Sequence, residues 1–101
     1  MYISENCKWT PYGTDPKLDE LVNSDNWEIR CDAAKQGYGL NKLIHDKYWD
    51  VRYAVAEQGY GLDKLIYDEE WNVRAAVAKQ GYGLDKLIYD RNLEVIKTVV
   101  E

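Results

Sequence analysis

Phenylalanine is absent from the 101 residues, so nine tyrosines and four tryptophans supply every large ring. Apolar runs are short, a few residues at most, which excludes a transmembrane span. Met1 is followed by Tyr-Ile-Ser-Glu-Asn rather than by a basic and then apolar leader, so a cytoplasmic protein without membrane contact is expected. Cysteine is scarce. Cys7 and Cys31 have no second pair nearby, so neither a disulfide framework nor a zinc knuckle is indicated, and reduced thiols with no metal site are expected. Basic residues are in the minority, 13 Lys and Arg against 18 Asp and Glu, giving a net charge of −5. Domains built to neutralise phosphates usually carry a basic face, so direct binding of nucleic acid is not expected. If charge selects a partner, the partner is basic. Catalytic signatures are missing as well: there is no P-loop, dinucleotide fingerprint, His-Glu-x-x-His or Cys-x-x-Cys.

What the chain does have is a repeat. Trp27, Trp49 and Trp71 fall 22 residues apart, as do Gly37, Gly59 and Gly81, and Asp46, Asp68 and Asp90. Counted from its Trp as position 1, a unit reads W-x-V-R-x-A-V-A-x-Q-G-Y-G-L-D-K-L-I-Y-D-x-x. Complete units occupy residues 27–48, 49–70 and 71–92, with half-units at 16–26 and 93–101. Residues 1–15 carry Trp9, Pro11, Tyr12 and Gly13 out of register and read as a divergent N-terminal cap to the array over 16–101. The only histidine, His45, stands where the sister units have Tyr67 and Tyr89, which is no setting for a general base. The carboxylates recur with the period, as caps and ladder partners do, so the protein is not expected to be an enzyme or to need a cofactor.

Each unit predicts two helices. Val51 and Val55, like Val73 and Val77, are i, i+4 pairs on one face of a long helix over positions 1–10. Asp46 or Asp68 before that helix is a suitable N-cap, and Gly59 or Gly81 after it suits a left-handed C′ residue. Beyond the Gly-Tyr-Gly turn, Leu62, Leu65 and Ile66 have the spacing of a second helix of one or two turns. So short a helix is marginal alone. About five aliphatic side chains per unit, each contributing roughly 1.5–3 kcal/mol when buried, do not cover the ordering entropy until neighbouring units share a core. The fold class is therefore all-α, held by stacking.

The stretch Asp68-x-x-Trp71-x-Val73-Arg74-x-Ala76-Val77-Ala78 resembles HEAT-like repeats and, more closely, the short leucine-rich-variant repeats of bacteria, over about residues 16–101. The resemblance implies a short right-handed α-solenoid of 22-residue helix-turn-helix units. It also implies a ladder of ion pairs between an Asp and the Arg six residues later, here Asp46 with Arg52 and Asp68 with Arg74. Ser24 before Arg30, and Ile96 after Asp90, leave that ladder complete only in the middle.

Units 49–70 and 71–92 match at 17 of 22 positions and differ at positions 2, 5, 9, 21 and 22. At about 100° per residue, positions 2, 5 and 9 form one stripe, opposite positions 3, 7 and 10. That stripe is expected to face solvent, with Cys31 on it as an ordinary thiol, and the position-1 Trp is expected to border it. Solvent-facing variation also accumulates by harmless drift in duplicated repeats, and an aromatic at a helix start can wedge between units. If the stripe binds, its best patch is Trp49, Asp50, Tyr53 and Glu57, with Trp71. The leading expectation is thus a non-catalytic module that holds a protein or peptide, a basic one by charge. The alternatives are a small acidic phage-encoded inhibitor of the anti-CRISPR kind, which blocks a nucleic-acid-binding host complex, and a self-assembling structural repeat. The last would be a homo-oligomer joined through the apolar C-terminal end around Val95, Ile96, Val99 and Val100.

Overall fold

The computed structural model describes residues 16–101, which form helices joined by turns, with no strand among them. The expected cap at 1–15 lies outside the described residues. In order the helices are α1 (Pro16–Val22), α2 (Trp27–Lys35), α3 (Leu40–Leu43), α4 (Trp49–Glu57), α5 (Leu62–Leu65), α6 (Trp71–Lys79), α7 (Leu84–Leu87) and α8 (Leu93–Val100). The long helices of the full units thus begin on the position-1 Trp, α8 begins on Leu93 at the same position, and the second helix of each full unit is a single turn.

The helix starts differ from expectation. The N-cap residues are Asn26, Tyr48, Glu70 and Asn92, each in extended backbone. Asn26 and Asn92 cap with their side chains, accepting from the N–H of Glu28 at 2.9 Å and of Glu94 at 2.8 Å. Asp46 and Asp68 lie two residues before the cap. Each accepts the N–H of Tyr48 or Glu70 at 2.9 Å, closing the turn that leads into the helix, because the rest of the carboxylate is held by an arginine. The helix ends are as read. After α2, Gly37 has φ +77°, its N–H reaches the Ala34 carbonyl at 2.8 Å and the Tyr38 N–H reaches Ala33 at 3.0 Å, the paired bonds of a Schellman motif.

Packing runs from each unit to the next. Helix α4 lies against α2 on one side and α6 on the other, α6 also meets α8, and each one-turn helix joins its own long helix to the following one. The described body measures 46 × 25 × 18 Å. Val51, Val55, Val73 and Val77 are wholly buried, and Ala54, Ala56, Ala76 and Ala78 line the helix flanks, where small side chains let neighbouring axes approach. Leu43, Leu65 and Leu87 close the core from the one-turn helices. A helix flanked on two sides buries more than one face, which corrects the stripe: Cys31 and Ala75 at position 5 are buried and Tyr53 is half-buried, so of positions 2, 5 and 9 only position 9 is exposed in every unit. Position 10 is corrected in the opposite sense. Gln58 and Gln80 are exposed rather than inward, and each donates from its side-chain amide to the preceding unit, to the Lys35 carbonyl at 3.2 Å and the Glu57 carbonyl at 3.3 Å.

Candidate functional site

Two side-chain systems run along the stack, and only one is open. The closed one is the arginine–aspartate ladder. Arg30, Arg52 and Arg74 each grip a carboxylate sixteen residues later: Nε meets Oδ2 of Asp46, Asp68 and Asp90 at 2.6, 2.7 and 2.7 Å, with Nη2 on the other oxygen at 3.1–3.2 Å. The Arg six residues after an Asp reaches that residue's backbone carbonyl instead. Arg52 Nη1 donates to Asp46 O at 2.6 Å, and Arg74 Nη1 to Asp68 O at 2.6 Å. The implied pairs Asp46–Arg52 and Asp68–Arg74 are therefore backbone contacts, and the ion pairs are Arg30–Asp46, Arg52–Asp68 and Arg74–Asp90. Since any residue has a carbonyl, Ser24 serves Arg30 at 2.7 Å as well as an Asp would, and the ladder has three rungs rather than a middle portion alone.

The ladder is mostly hidden from solvent. Side-chain exposure is 6–11% at the arginines and 8% at each aspartate, so these groups hold the stack and offer nothing to a ligand. Hydrogen bonds to Asp46 and Asp68 outweigh the cost of burial and hold the Arg30 and Arg52 guanidiniums above their ordinary pKa.

The open system is a groove of about 660 Å³ across α2 and α4, reaching Asn72 at the start of α6. Trp27, Trp49 and Tyr53 supply its rings, Glu28, Asp32, Asp50 and Glu57 its carboxylates, and Lys35 its one cation. Trp49 and Tyr53, one helical turn apart, meet edge to face with centroids 6.2 Å apart and planes at 83°, which leaves a corner with Trp49 36% exposed. Trp27 instead stacks on Tyr48 at 6.0 Å with planes 12° apart. Among the described residues none of the four groove carboxylates is in an ion pair, in contrast to Asp46, Asp68 and Asp90. Cys31 lines the groove but is buried. Desolvation, and next the charge of Asp50, push its thiol pKa up, so it has little thiolate character.

Four of the five sequence-selected binding residues, Trp49, Asp50, Tyr53 and Glu57, come together on this groove. Trp71 is exposed on α6 but does not line it. Sequence reasoning passed over Trp27, Glu28 and Asp32 as binding residues. The signal was present at Asp32, the only acid at a position that is Ala54 and Ala76 in the sister units. The C-terminal helix leaves Leu93 and Val100 exposed, as Tyr89 is before it, while Val95 is buried. No family model, curated protein or solved structure matches the chain. Among the described residues no helix is long and apolar enough to cross a membrane.

Proposed function

We propose that the chain is a non-catalytic, cytoplasmic binding module, a short α-solenoid of the HEAT-like or leucine-rich-variant kind, right-handed by that resemblance, which holds a protein or peptide in the groove across α2 and α4. The observation that carries this reading is the concentration in one concave site of accessible rings and of carboxylates that form no ion pair among the described residues, whereas Asp46, Asp68 and Asp90 are each held by an arginine of the ladder. Rings and charges together at a concave centre are the usual composition of a binding hot spot.

The repeat supplies its own control. Asp50→Asn, Tyr53→Ala and Glu57→Lys together make residues 49–57 identical to 71–79, a helix the same protein already folds. Wild-type bait in a lysate of the source cell is expected to retain a partner that this triple variant loses. Equal capture by both would remove the groove as the site.

A second reading, self-association through α8, is favoured by the exposure of Leu93 and Val100. Sedimentation velocity over a wide concentration range decides it: a mass that stays monomeric throughout excludes it, and a dimer that Leu93→Glu abolishes supports it.

A further inference from the structure

Resting on the groove reading above, we propose that the groove across α2 and α4 is an arginine site, in which a guanidinium from a partner polypeptide lies on the Trp49 face beside Tyr53, between the carboxylates of α2 and those of α4.

Charge selects a cation first. Glu28 and Asp32 stand on one wall and Asp50 and Glu57 on the other, against Lys35 alone, and no cation among the described residues pairs with any of the four. The ring corner then selects among cations. A planar, weakly hydrated guanidinium stacks on an indole face and still presents its N–H fork to carboxylates at the sides, whereas an ammonium is a compact, strongly hydrated point charge. The molecule already contains this combination within itself: Arg30 lies over the Tyr48 ring at 5.6 Å while its guanidinium grips Asp46.

The site is single rather than repeated. Position 5 is Tyr only at Tyr53, being Cys31, Ala75 and Lys97 elsewhere, so only α4 has the edge-to-face corner. The next unit replaces the acids of α4 by Asn72 and Lys79, which ends the negative wall. One arginine per module, approached by an extended or looped segment of the partner, is the occupancy this allows.

The test uses fluorescein-labelled peptides in which glycine alternates with arginine, with lysine, or with citrulline, titrated by anisotropy with the full chain. The arginine peptide is expected to bind more tightly than the lysine peptide, and the citrulline peptide, which keeps the shape and loses the charge, should bind least. Asp50→Asn/Tyr53→Ala/Glu57→Lys should weaken the arginine peptide by about 10-fold or more, and Tyr53→Ala alone, which opens the corner and leaves the Trp49 face, should weaken it by less than the triple variant. Equal affinity for arginine and lysine, or an arginine peptide indifferent to the triple variant, overturns the proposal.

Panning a random linear peptide library against wild type and triple variant separates the two levels of the argument. Sequences that need the groove and are rich in arginine support the assignment. Sequences that need the groove but lack arginine overturn it and leave the binding module standing. A library with no groove-dependent sequence removes both.

Discussion

Arg52→Ala is expected to cost about 3–5 kcal/mol, the usual consequence of removing one partner of a buried ion pair and stranding the other. It strands two groups. The Asp68 carboxylate, 8% exposed, loses both arms of its fork, and the Asp46 carbonyl in the preceding unit loses its donor at 2.6 Å. Domains of this size hold only about 5–15 kcal/mol in total, so one rung in the middle of the stack removes a large share of it. In an array where each unit leans on its neighbours, the loss should also broaden the transition, because the two halves are uncoupled. Arg52→Lys should recover only part, since an ammonium cannot serve a bidentate carboxylate and a carbonyl of the preceding unit at once. Lys97→Ala is the control. Its pair with Glu94 is more than half exposed at both ends and is expected to be worth less than about 1 kcal/mol. Urea denaturation of the three variants checks the ranking, and an Arg52→Ala midpoint close to that of Lys97→Ala would refute a stabilising ladder.

Acid reads the same structure from the carboxylate side. At Asp90 burial pushes the pKa up, but the hydrogen bond from Arg74, the N–H of Asn92 at 2.8 Å and the charges of Arg74 and Arg91 together hold it below the ordinary value. A carboxyl whose pKa is lower folded than unfolded contributes stability that is fully present above the unfolded pKa of about 3.9 and is lost as pH falls through the folded value. The urea midpoint is therefore expected to be insensitive to this group at neutral pH and to fall below about pH 4, and Asp90→Asn should flatten that acid limb while lowering stability at pH 7.

The ladder also shows where sequence reasoning stops. Each Asp at position 20 has an Arg sixteen residues before it, Asp46 and Asp68 have another six residues after, and the two offsets add up to the repeat. A sequence with that period cannot say which arginine takes the carboxylate and which the carbonyl. The spans and C-terminal ends of the long helices were more legible than their N-caps. Trp27, Trp49 and Trp71 open the long helices of the three full units, and Gly37, Gly59 and Gly81 end them, because a positive φ leaves a chemical trace in the residue type. The groove was legible on α4 and not on α2. A helical wheel treats each helix as facing one core, whereas a helix with neighbours on two sides also buries position 5, so that Cys31 falls out of the exposed stripe. Asp32 stands where the sister units have Ala54 and Ala76, a substitution that a charge at a core position and an exposed acid would fit equally. It is an exposed acid on the groove wall, a distinction that depends on which neighbour the helix face meets and is not written in its own unit.

The glycines of the Gly-Tyr-Gly turn allow conformation and contact to be separated by experiment. Gly81 and Gly39 both have positive φ, +78° and +66°, so alanine at either meets the left-handed penalty of about 1–2 kcal/mol. Their surroundings differ. A Cβ on Gly81 would have nothing within 4 Å, whereas one on Gly39 would stand 2.5 and 2.9 Å from the two methyls of Val22 and 3.3 Å from its Cβ. Val22 is 5% exposed and branched at Cβ, so its one torsion is restricted and turning it only exchanges one methyl for the other, and α1 has to shift. Gly81→Ala is therefore expected to cost about 1–2 kcal/mol, and Gly39→Ala a further 1–3 kcal/mol, roughly, from overpacking. The double variant Gly39→Ala/Val22→Ala decides between the two causes. If close approach is responsible, shortening Val22 should make the added alanine less costly than it is in the wild-type background. If the increment is unchanged, the penalty at Gly39 is purely conformational, and the notch that seats Val22 plays no part in docking the first half-unit onto the array.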